Sequence, residues 1–417
     1  MRSSTGQHWI ALDHVRALAA YLVFTWHFAH SATGYPVSFT GAPSIFPFSI
    51  IDEGHTGVAL FMTLSGYIFA KLLDGRSISY PSFYWNRFVR LAPLMLIAIL
   101  LADLERFLTT GAWGAAASFI AVIEAFVEPM PMLGHGLWSI VVETQFYMML
   151  PFLMLASRLS RWAPLIILGV IVSMRMGWAV SIGDAKNIAY WTIFGRLDQF
   201  LLGTFAFQNR SYLRSRHGVA VATALGFTLF YYWFDIAGGW YGLDDRGWHG
   251  IVWAILPTVE GLAYGLLIAY YDGTFSPNNA GVSRFFGNAG AYSYSIYLLH
   301  FFLVFRLVRF IDRDIMSLSN FYVACLWSLV CFAAMVPFAQ ICFRWIEAPF
   351  LKLRRPYVRK QALPPPHILL SNRSEVVPAE DQSTGTARAT DDGNKRPRFH
   401  PRARLATKET DQNAICM

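Results

Sequence analysis

Charge is what this sequence has least of. Charged residues make up 14% of its 417 positions, whereas a typical soluble domain carries about 25%. Hydrophobic residues make up 55% and aromatic residues 16% of the chain, and the mean hydropathy is positive at +0.39. This composition excludes an ordinary soluble globular protein and predicts a polytopic membrane protein.

Cysteine is scarce as well. The four cysteines are Cys325, Cys331, Cys342 and Cys416, and the first three fall within one apolar segment. This spacing fits neither a disulfide framework nor a zinc site. We therefore expect the cysteines to be small apolar packing residues, and we expect no metal cofactor.

Long apolar runs, in contrast, are abundant. A membrane-spanning helix needs about 20 apolar residues. The first candidate segment is too long, and too interrupted by Asp13, His14 and Arg16, for a signal-peptide core, so we expect it to be retained. The short apolar stretch 114–128 is interpreted as an interfacial or re-entrant piece. The predicted fold is an all-α bundle of about ten transmembrane helices, at 9–30, 55–73, 91–109, 137–157, 163–181, 190–208, 218–235, 250–271, 286–308 and 320–343.

The distribution of positive charge predicts the orientation of this bundle. Lysine and arginine are absent from the loops 31–54 and 110–136. They occur in the alternate loops and in the C-terminal segment, at 71–90, 158–161, 209–217 and 352–417. Since basic loops favour the cytoplasm, both the N-terminus and the C-terminus are predicted to be cytoplasmic. Three residues near the outer end of the ninth span break the pattern: Arg306, Arg309 and Arg313.

Two parts are predicted, a transmembrane domain at 1–350 and a basic tail at 351–417. From Lys352 onward the chain has 13 lysines and arginines against 7 acidic residues. From about Tyr357 the tail is rich in proline, serine, threonine, arginine and aspartate, so it cannot bury a core and is predicted to be disordered. Its charge suits anionic lipid headgroups, and no nucleic-acid partner is expected.

Two ionisable residues stand on one face of the first predicted span. In RALAAYLVFTWH, Arg16 and His27 are eleven positions apart, which leaves a rotation of only about 20° and a separation of about 16 Å along a helix. An ionisable group within a bilayer is costly and is by default a functional candidate. The alternative, a snorkelling arginine and an interfacial histidine, suits His14 and His30 better than His27.

A second candidate group stands at the start of the third span. In FYWNRFVRLAP, Arg87 and Arg90 are three positions apart and therefore share one side of a helix. Guanidinium groups match phosphate oxygens well, so these residues are a candidate phosphate clamp. The alternative is plain positive charge on the cytoplasmic side of the membrane.

A carboxylate stands inside the fourth span. Glu143 follows Trp138 and Ser139 in an otherwise apolar segment, where a carboxylate must be paired or protonated. The sequence leaves three structural alternatives to a catalytic role: an ion pair with Arg16, an ion pair with Arg196, or a structural hydrogen bond.

Further polar residues occur in apolar sequence. Ser65 and Gly66 form a small-residue pair that is typical of close helix packing. Arg196 and Asp198 are two positions apart, so they point to different sides of a helix, and a structural network is favoured for them. His300 lies about 15 residues into its span, and hence in the predicted outer half of the bilayer.

The polar groups are predicted to trace a path across the membrane. Counting about 1.5 Å per helical residue, Arg87 and Arg90 fall at the inner rim and Arg16 falls in the inner half. The predicted outer half holds His27, Glu143 and His300.

Taken together, these segments resemble the acyltransferase-3 family of integral-membrane acyltransferases. RALAAYLVFTWH is similar to the family's arginine–ten–histidine motif. The other segments follow in the family's order: FMTLSGYIF, FYWNRFVRLAP, WSIVVETQFY, GRLDQFLLG, YSYSIYLLH and IEAPF. The resemblance covers about residues 10–350. That family includes bacterial enzymes that O-acetylate exopolysaccharide, lipopolysaccharide O-antigen, Nod factor and peptidoglycan.

The resemblance implies roles for the residues that match its motifs. Arg16, His27 and Glu143 would be catalytic, and Arg87 and Arg90 would hold the phosphates of acyl-CoA. The remaining motif residues are expected to contact substrate or support the site: Asp13, Ser65, Trp138, Ser139, Arg196, Asp198, Tyr297 and His300.

The chain departs from the family's pattern at two places. The first motif reads DHVRA, where the family often has glycines after the aspartate and the arginine. The glutamate motif reads ETQ, where a second acidic residue is common. The missing acid weakens any scheme that needs two carboxylates there.

The resulting hypothesis is a multi-pass enzyme of the bacterial inner membrane. It would move an acyl group, expected to be acetyl, from cytoplasmic acyl-CoA to a hydroxyl of a cell-surface or lipid-linked saccharide. His27 would act as general base, and Glu143 would fix its tautomer or lower the cost of an imidazolium. A covalent acyl-histidine relay stays open, as does the oligomeric state.

The alternative from another class is a proton-coupled transporter or flippase for a polar or lipid-linked substrate. Intramembrane arginine, histidine and glutamate are equally natural in such a carrier. The inverted repeat with broken helices that marks many carriers is not evident in the sequence. A purely structural or sensory membrane protein is the least favoured interpretation.

Overall fold

Helices make up nearly all of the regular structure. The computed structural model describes residues 9–360, apart from positions 32, 40–42, 75, 125, 127–135 and 161. The helices are α1 Ile10–His30, α2 Ser49–Asp52, α3 Thr56–Leu73, α4 Tyr80–Thr110, α5 Ala115–Glu124, α6 Leu137–Leu159, α7 Ala163–Ser181, α8 Ala185–Trp191, α9 Ile193–Gln208, α10 Arg210–Leu213, α11 His217–Ile236, α12 Gly239–Gly242, α13 Gly247–Thr274, α14 Gly281–Ala291, α15 Ser293–Asp314, α16 Phe321–Cys342 and α17 Ala348–Leu351. A π-helical turn, Phe343–Glu347, joins the last two.

Seven helical stretches in the described part of the chain are long and apolar enough to cross a membrane. They are Thr56–Leu73, Leu137–Ala156, Ala163–Ser181, His217–Ile236, Gly247–Thr274, Ser293–Asp314 and Phe321–Leu351. This confirms the predicted class, an all-α multi-pass membrane protein. The number of ten spans stays a prediction, because three of the helices that correspond to predicted spans are not among these seven: α1, α4 and the 16-residue α9.

Two of the predicted spans are broken rather than continuous. The sixth divides at Thr192, whose hydroxyl accepts a hydrogen bond of 3.1 Å from the amide of Gly195 and so caps the start of α9. The ninth divides at Tyr292, between α14 and α15. The apolar pattern continues across both breaks, so hydropathy alone does not show them.

Close packing of α3 against α9 explains one small-residue pair. A Cβ at Gly66 would lie 2.0 Å from the carbonyl oxygen of Phe200, and a Cβ at Gly203 would lie 2.0 Å from that of Thr63. Each glycine therefore lets the facing backbone approach where no side chain fits. The packing interpretation is confirmed for Gly66.

The two ends of the described chain lie near the end of α3 and the connection that follows it. The Lys71 ammonium lies 5.0 Å from the centroid of the Trp9 ring, beside the start of α1. The strand β1, Arg76–Ile78, pairs antiparallel with β2, Val358–Lys360. The two ends are thus at the same end of the bundle, as the predicted topology requires, while the side of the membrane stays a prediction.

Several expectations fall partly outside the described residues. The predicted interfacial stretch includes α5, but its positions 125, 127 and 128 lie outside that description. Of the predicted tail, 351–360 belongs to the folded unit, and 361–417 lies outside the described residues. Cys325 and Cys331 are buried free thiols and Cys342 is a half-buried one.

Candidate active site

A cavity of about 200 Å³ opens between α1, α3, α4, α6 and α15. It brings together eight residues that the sequence predicted for the site: Asp13, Arg16, Ser65, Arg87, Arg90, Ser139, Glu143 and Tyr297. Five other predicted residues are not among those that line it: His27, Trp138, Arg196, Asp198 and His300. The predicted set is therefore divided between this cavity and its surroundings.

Arg87 is held at the cavity by aromatic rings. Its guanidinium carbon lies 4.9 Å from the centroid of the Phe69 ring and 5.3 Å from those of Phe83 and Tyr147. One NH2 group donates to the Tyr357 hydroxyl at 3.2 Å, and the buried Nε has no hydrogen-bond partner among the described residues. This enclosure fixes the guanidinium and differs from a solvated, positive-inside charge.

Arg16 has its counter-ion on the same helix. It forms an ion pair with Asp13, one turn earlier on α1. The backbone of Asp13 is pressed against α14, where a Cβ at Gly290 would lie 1.7 Å from the Asp13 carbonyl oxygen. This contact requires glycine and anchors the start of α1, so the position of Arg16 at the cavity depends on the α1–α14 packing.

Glu143 is bound by hydroxyl groups rather than by an arginine. The Tyr147 hydroxyl donates to its Oε1, and the Ser65 hydroxyl approaches the same oxygen at 3.5 Å. Neither of the two ion pairs left open by the sequence is present among the described residues, because Arg16 pairs with Asp13 and Arg196 pairs with Glu260. The third alternative, a structural hydrogen bond, is the arrangement found.

His27 lies in a group of aromatic rings and is not among the residues that line the cavity. Its Nδ1 is 2.8 Å from the Val23 carbonyl oxygen and 3.3 Å from His300 Nε2. Its ring centroid is 4.8 Å from that of Trp26 and 4.5 Å from that of Phe301. Since a carbonyl can only accept, Nδ1 carries the hydrogen in the neutral ring, and the lone pair is on Nε2.

The expectation that Glu143 fixes the His27 tautomer is wrong, because the Val23 carbonyl does so. His300 is the second neighbour of the His27 Nδ1 atom. The His300 Nδ1 atom donates to the Tyr297 carbonyl at 2.7 Å, which leaves its Nε2 as an acceptor. Tyr297 in turn lines the cavity and accepts a hydrogen bond of 2.7 Å from the Ser139 hydroxyl. The histidine pair is thus joined to the cavity wall through Tyr297.

Arg196 and Asp198 belong to a separate network in the bundle. The Arg175 guanidinium pairs with Asp198 at 2.7 Å, and both side chains are 0% exposed. The Arg196 guanidinium pairs with Glu260 at 3.5 Å and stacks 4.1 Å from the Tyr190 ring centroid. The two residues point to different partners, as their spacing predicts. Trp138 packs 5.0 Å from Tyr190 at the edge of this network.

Among the cavity residues that sequence reasoning missed, three contact or accompany the cavity arginines and Glu143: Tyr147, Arg354 and Tyr357. Tyr147 is four positions after Glu143, so helical spacing could have indicated it. Arg354 and Tyr357 were assigned to the tail, and no local signal shows that this segment returns to α4. The part of the chain that the structure describes contains no group of three or more His, Cys, Asp or Glu residues that could hold a metal ion.

The fold and the cavity define a multi-pass membrane protein with an arginine-rich pocket inside its helical bundle. Comparison with protein families gives a match to the acyltransferase-3 family model, described as an acyltransferase domain, over residues 9–344. The chain belongs to this family of acyltransferases. Membership of an acyltransferase family does not favour the transporter or flippase that the sequence left as an alternative.

A curated relative is similar over part of the chain. The peptidoglycan O-acetyltransferase OatA of Listeria monocytogenes serovar 1/2a (strain ATCC BAA-679 / EGD-e) is 23% identical over 195 residues. The match covers 41% of this chain and 28% of that protein. The chain thus matches under a third of the relative's length. No solved structure gives a significant match.

Proposed function

We propose that this chain transfers an acyl group, expected to be acetyl, from cytoplasmic acyl-CoA to a hydroxyl of a cell-surface or lipid-linked saccharide in the bacterial inner membrane. The observation that carries the proposal is the arginine content of the cavity. Four arginines line it, against two carboxylates: Arg16, Arg87, Arg90 and Arg354, with Asp13 and Glu143. A pocket with this charge excess attracts a polyanion.

The donor is assigned from the chemistry of these arginines. Arg87 and Arg90 lie one turn apart on α4 and both reach the cavity. Guanidinium groups bind phosphate through paired, charge-assisted hydrogen bonds, and acyl-CoA carries its phosphates at the end remote from the thioester. The phosphates would stay near α4 while the pantetheine arm extends toward Ser139 and Tyr297.

His27 is the proposed general base. The acceptor hydroxyl gives its proton to Nε2 of His27 as its oxygen bonds to the thioester carbonyl carbon; the carbon–sulfur bond then breaks, and the CoA thiolate takes up a proton. The resulting imidazolium keeps its Nδ1 hydrogen on the Val23 carbonyl and His300 Nε2. The same Nε2 atom would carry the acyl group in an acyl-histidine relay.

The acceptor class rests on the relative. Its printed name gives peptidoglycan as the acceptor and acetyl as the transferred group, which supports a saccharide hydroxyl and an acetyl donor for this chain. The ring of Phe301, 4.5 Å from that of His27, is suited to contact with a sugar ring.

The test is transfer of label from [14C]acetyl-CoA to the glycan fraction of membranes that contain the protein. We expect His27→Ala to lower transfer by about 10²–10⁴-fold at an unchanged protein level. His14→Ala is the matched control, because His14 lies on the same helix but contacts Tyr271 and Ser283. Undiminished transfer by His27→Ala would contradict the proposal.

A further inference from the structure

We propose that the segment Leu353–Tyr357 forms part of the wall of the cavity and that Arg354 binds a phosphate of the donor's nucleotide end. The inference rests on the proposed acyl-CoA donor, and it adds that the site selects donors that carry the nucleotide end of CoA. The family match ends at residue 344, so this segment lies beyond the matched domain. Arg354 and Tyr357 nevertheless line the same cavity as Arg87 and Arg90.

The segment is fastened through its backbone. The Asn86 side chain donates to the Arg355 carbonyl at 2.7 Å and accepts from the Arg355 amide at 2.8 Å. The indole of Trp85 donates to the Leu353 carbonyl at 2.9 Å. The amide of Ser79 donates to the Tyr357 carbonyl at 2.8 Å, next to the β1–β2 pair. These contacts leave the side chains of Arg354 and Tyr357 available for other partners.

Side chains of the segment then divide between two directions. Arg354 lines the cavity, whereas the Arg355 guanidinium lies 5.2 Å from the Trp85 ring centroid and does not line it. Tyr357 is 3% exposed, and its hydroxyl accepts from Arg87. The segment thus adds one cation to the pocket and positions another.

The arrangement of cations suits the phosphates of CoA. Two arginines from one turn of α4 can hold the adjacent phosphates of a diphosphate, and a third arginine from a separate segment can hold a phosphate at a different place. CoA carries a diphosphate and a separate ribose phosphate. Phosphopantetheine, which lacks the nucleotide, carries one phosphate only. The geometry therefore predicts selection for a nucleotide-bearing donor.

The experiment measures binding of desulfo-CoA and of 3′-dephospho-desulfo-CoA to the full chain in lipid nanodiscs by calorimetry. We expect the unaltered protein to bind desulfo-CoA the more tightly. Arg354→Ala and Arg354→Gln should weaken desulfo-CoA binding by about tenfold, which corresponds to about 1.4 kcal/mol, and should remove the difference between the two ligands. Arg355→Ala is the matched control and should bind as the unaltered protein does.

Melting temperatures of the variants verify that each is folded. Equal desulfo-CoA affinity in the Arg354 variants and the unaltered protein would overturn this inference and leave the proposed donor intact. If Arg355→Ala weakens desulfo-CoA binding as much as Arg354→Ala does, the inference is also overturned. The weaker binding would then come from the loss of any positive charge in the segment and not from a specific contact of Arg354. Absence of desulfo-CoA binding to the unaltered protein would overturn the proposed donor itself.

Discussion

Two regions of this bundle hold arginines inside the protein, and they differ in what neutralises them. In the core network each arginine has a carboxylate partner, Arg175 with Asp198 and Arg196 with Glu260, and the four side chains are at most 2% exposed. In the cavity, four arginines line the wall against two carboxylates, and the buried Glu347 adds a third negative charge near Arg90 and Arg354. In the core network, carboxylates of the chain itself pair with both arginines. The cavity, in contrast, is lined by more arginines than carboxylates.

The difference separates a structural role from a binding role. A buried ion pair that is complete gains little net stability, but removing one partner leaves an uncompensated charge. An excess of cations around a cavity attracts anions that are not part of the chain, and we propose that role for the four cavity arginines. Burial of an arginine is therefore a poor guide to function, and the balance of charge around it is a better one.

The largest expected effect comes from breaking the core network. Asp198→Asn leaves Arg175 buried without its charge partner and should cost about 3–5 kcal/mol of unfolding free energy, measured by thermal unfolding in detergent. Asp314→Asn is the control, because that side chain is 50% exposed. A melting temperature equal to that of the control would contradict the distinction between the regions.

The cavity arginines should show the opposite behaviour. Arg87→Ala combined with Arg90→Ala removes two charge-assisted contacts, each with a contribution of about 1.5–3 kcal/mol, and should raise the KM for acetyl-CoA by at least about a hundredfold. The melting temperature should change little. If protein abundance falls while the KM for acetyl-CoA stays constant, these arginines serve only as the positive charge that orients the protein in the membrane.

Adjacent residues on α3 separate the two regions further. Gly66→Ala places a methyl group against the Phe200 backbone and should destabilise the protein by about 1–3 kcal/mol, in thermal unfolding. Ser65→Ala, on the cavity side, should leave the melting temperature unchanged. Gly169→Ala controls for helix propensity, since a Cβ there meets nothing within 4 Å. Equal stability of the Gly66 and Gly169 variants would contradict the packing account.

The smallest expected effect concerns the histidine pair. His300→Phe removes the Nε2 acceptor near His27 Nδ1, and with it one hydrogen bond of about 1 kcal/mol. Turnover should fall by about fivefold with the KM for acetyl-CoA unchanged, in a steady-state transfer assay. A change in KM at constant turnover would instead place His300 at the donor.

The sequence predicts contacts between residues that are close in the chain better than contacts between distant residues. The helix that carries Arg16 and His27 is found as predicted, because hydrophobic length and local spacing determine it. The sequence left the partner of Glu143 open between two distant arginines and a structural hydrogen bond, and Tyr147, one turn away, is bonded to it. Long-range pairing between charges depends on how helices pack, and spacing along one helix does not encode it.

The return of the C-terminal segment to α4 shows the same limit. Its composition resembles the tail that follows, and the contact is made by backbone groups with Asn86 and Trp85. Backbone hydrogen bonds leave little trace in side-chain patterns. Arg354 and Tyr357 therefore became visible as cavity residues only in the structure.

The central claim is that the cavity arginines bind the phosphates of acyl-CoA. The most direct test is equilibrium binding of desulfo-CoA to the full chain in nanodiscs, unaltered and with Arg87→Ala combined with Arg90→Ala. The account predicts saturable binding to the unaltered protein and affinity at least about tenfold weaker, or about 1.4 kcal/mol, in the folded double variant. Equal affinity of the two proteins would contradict it.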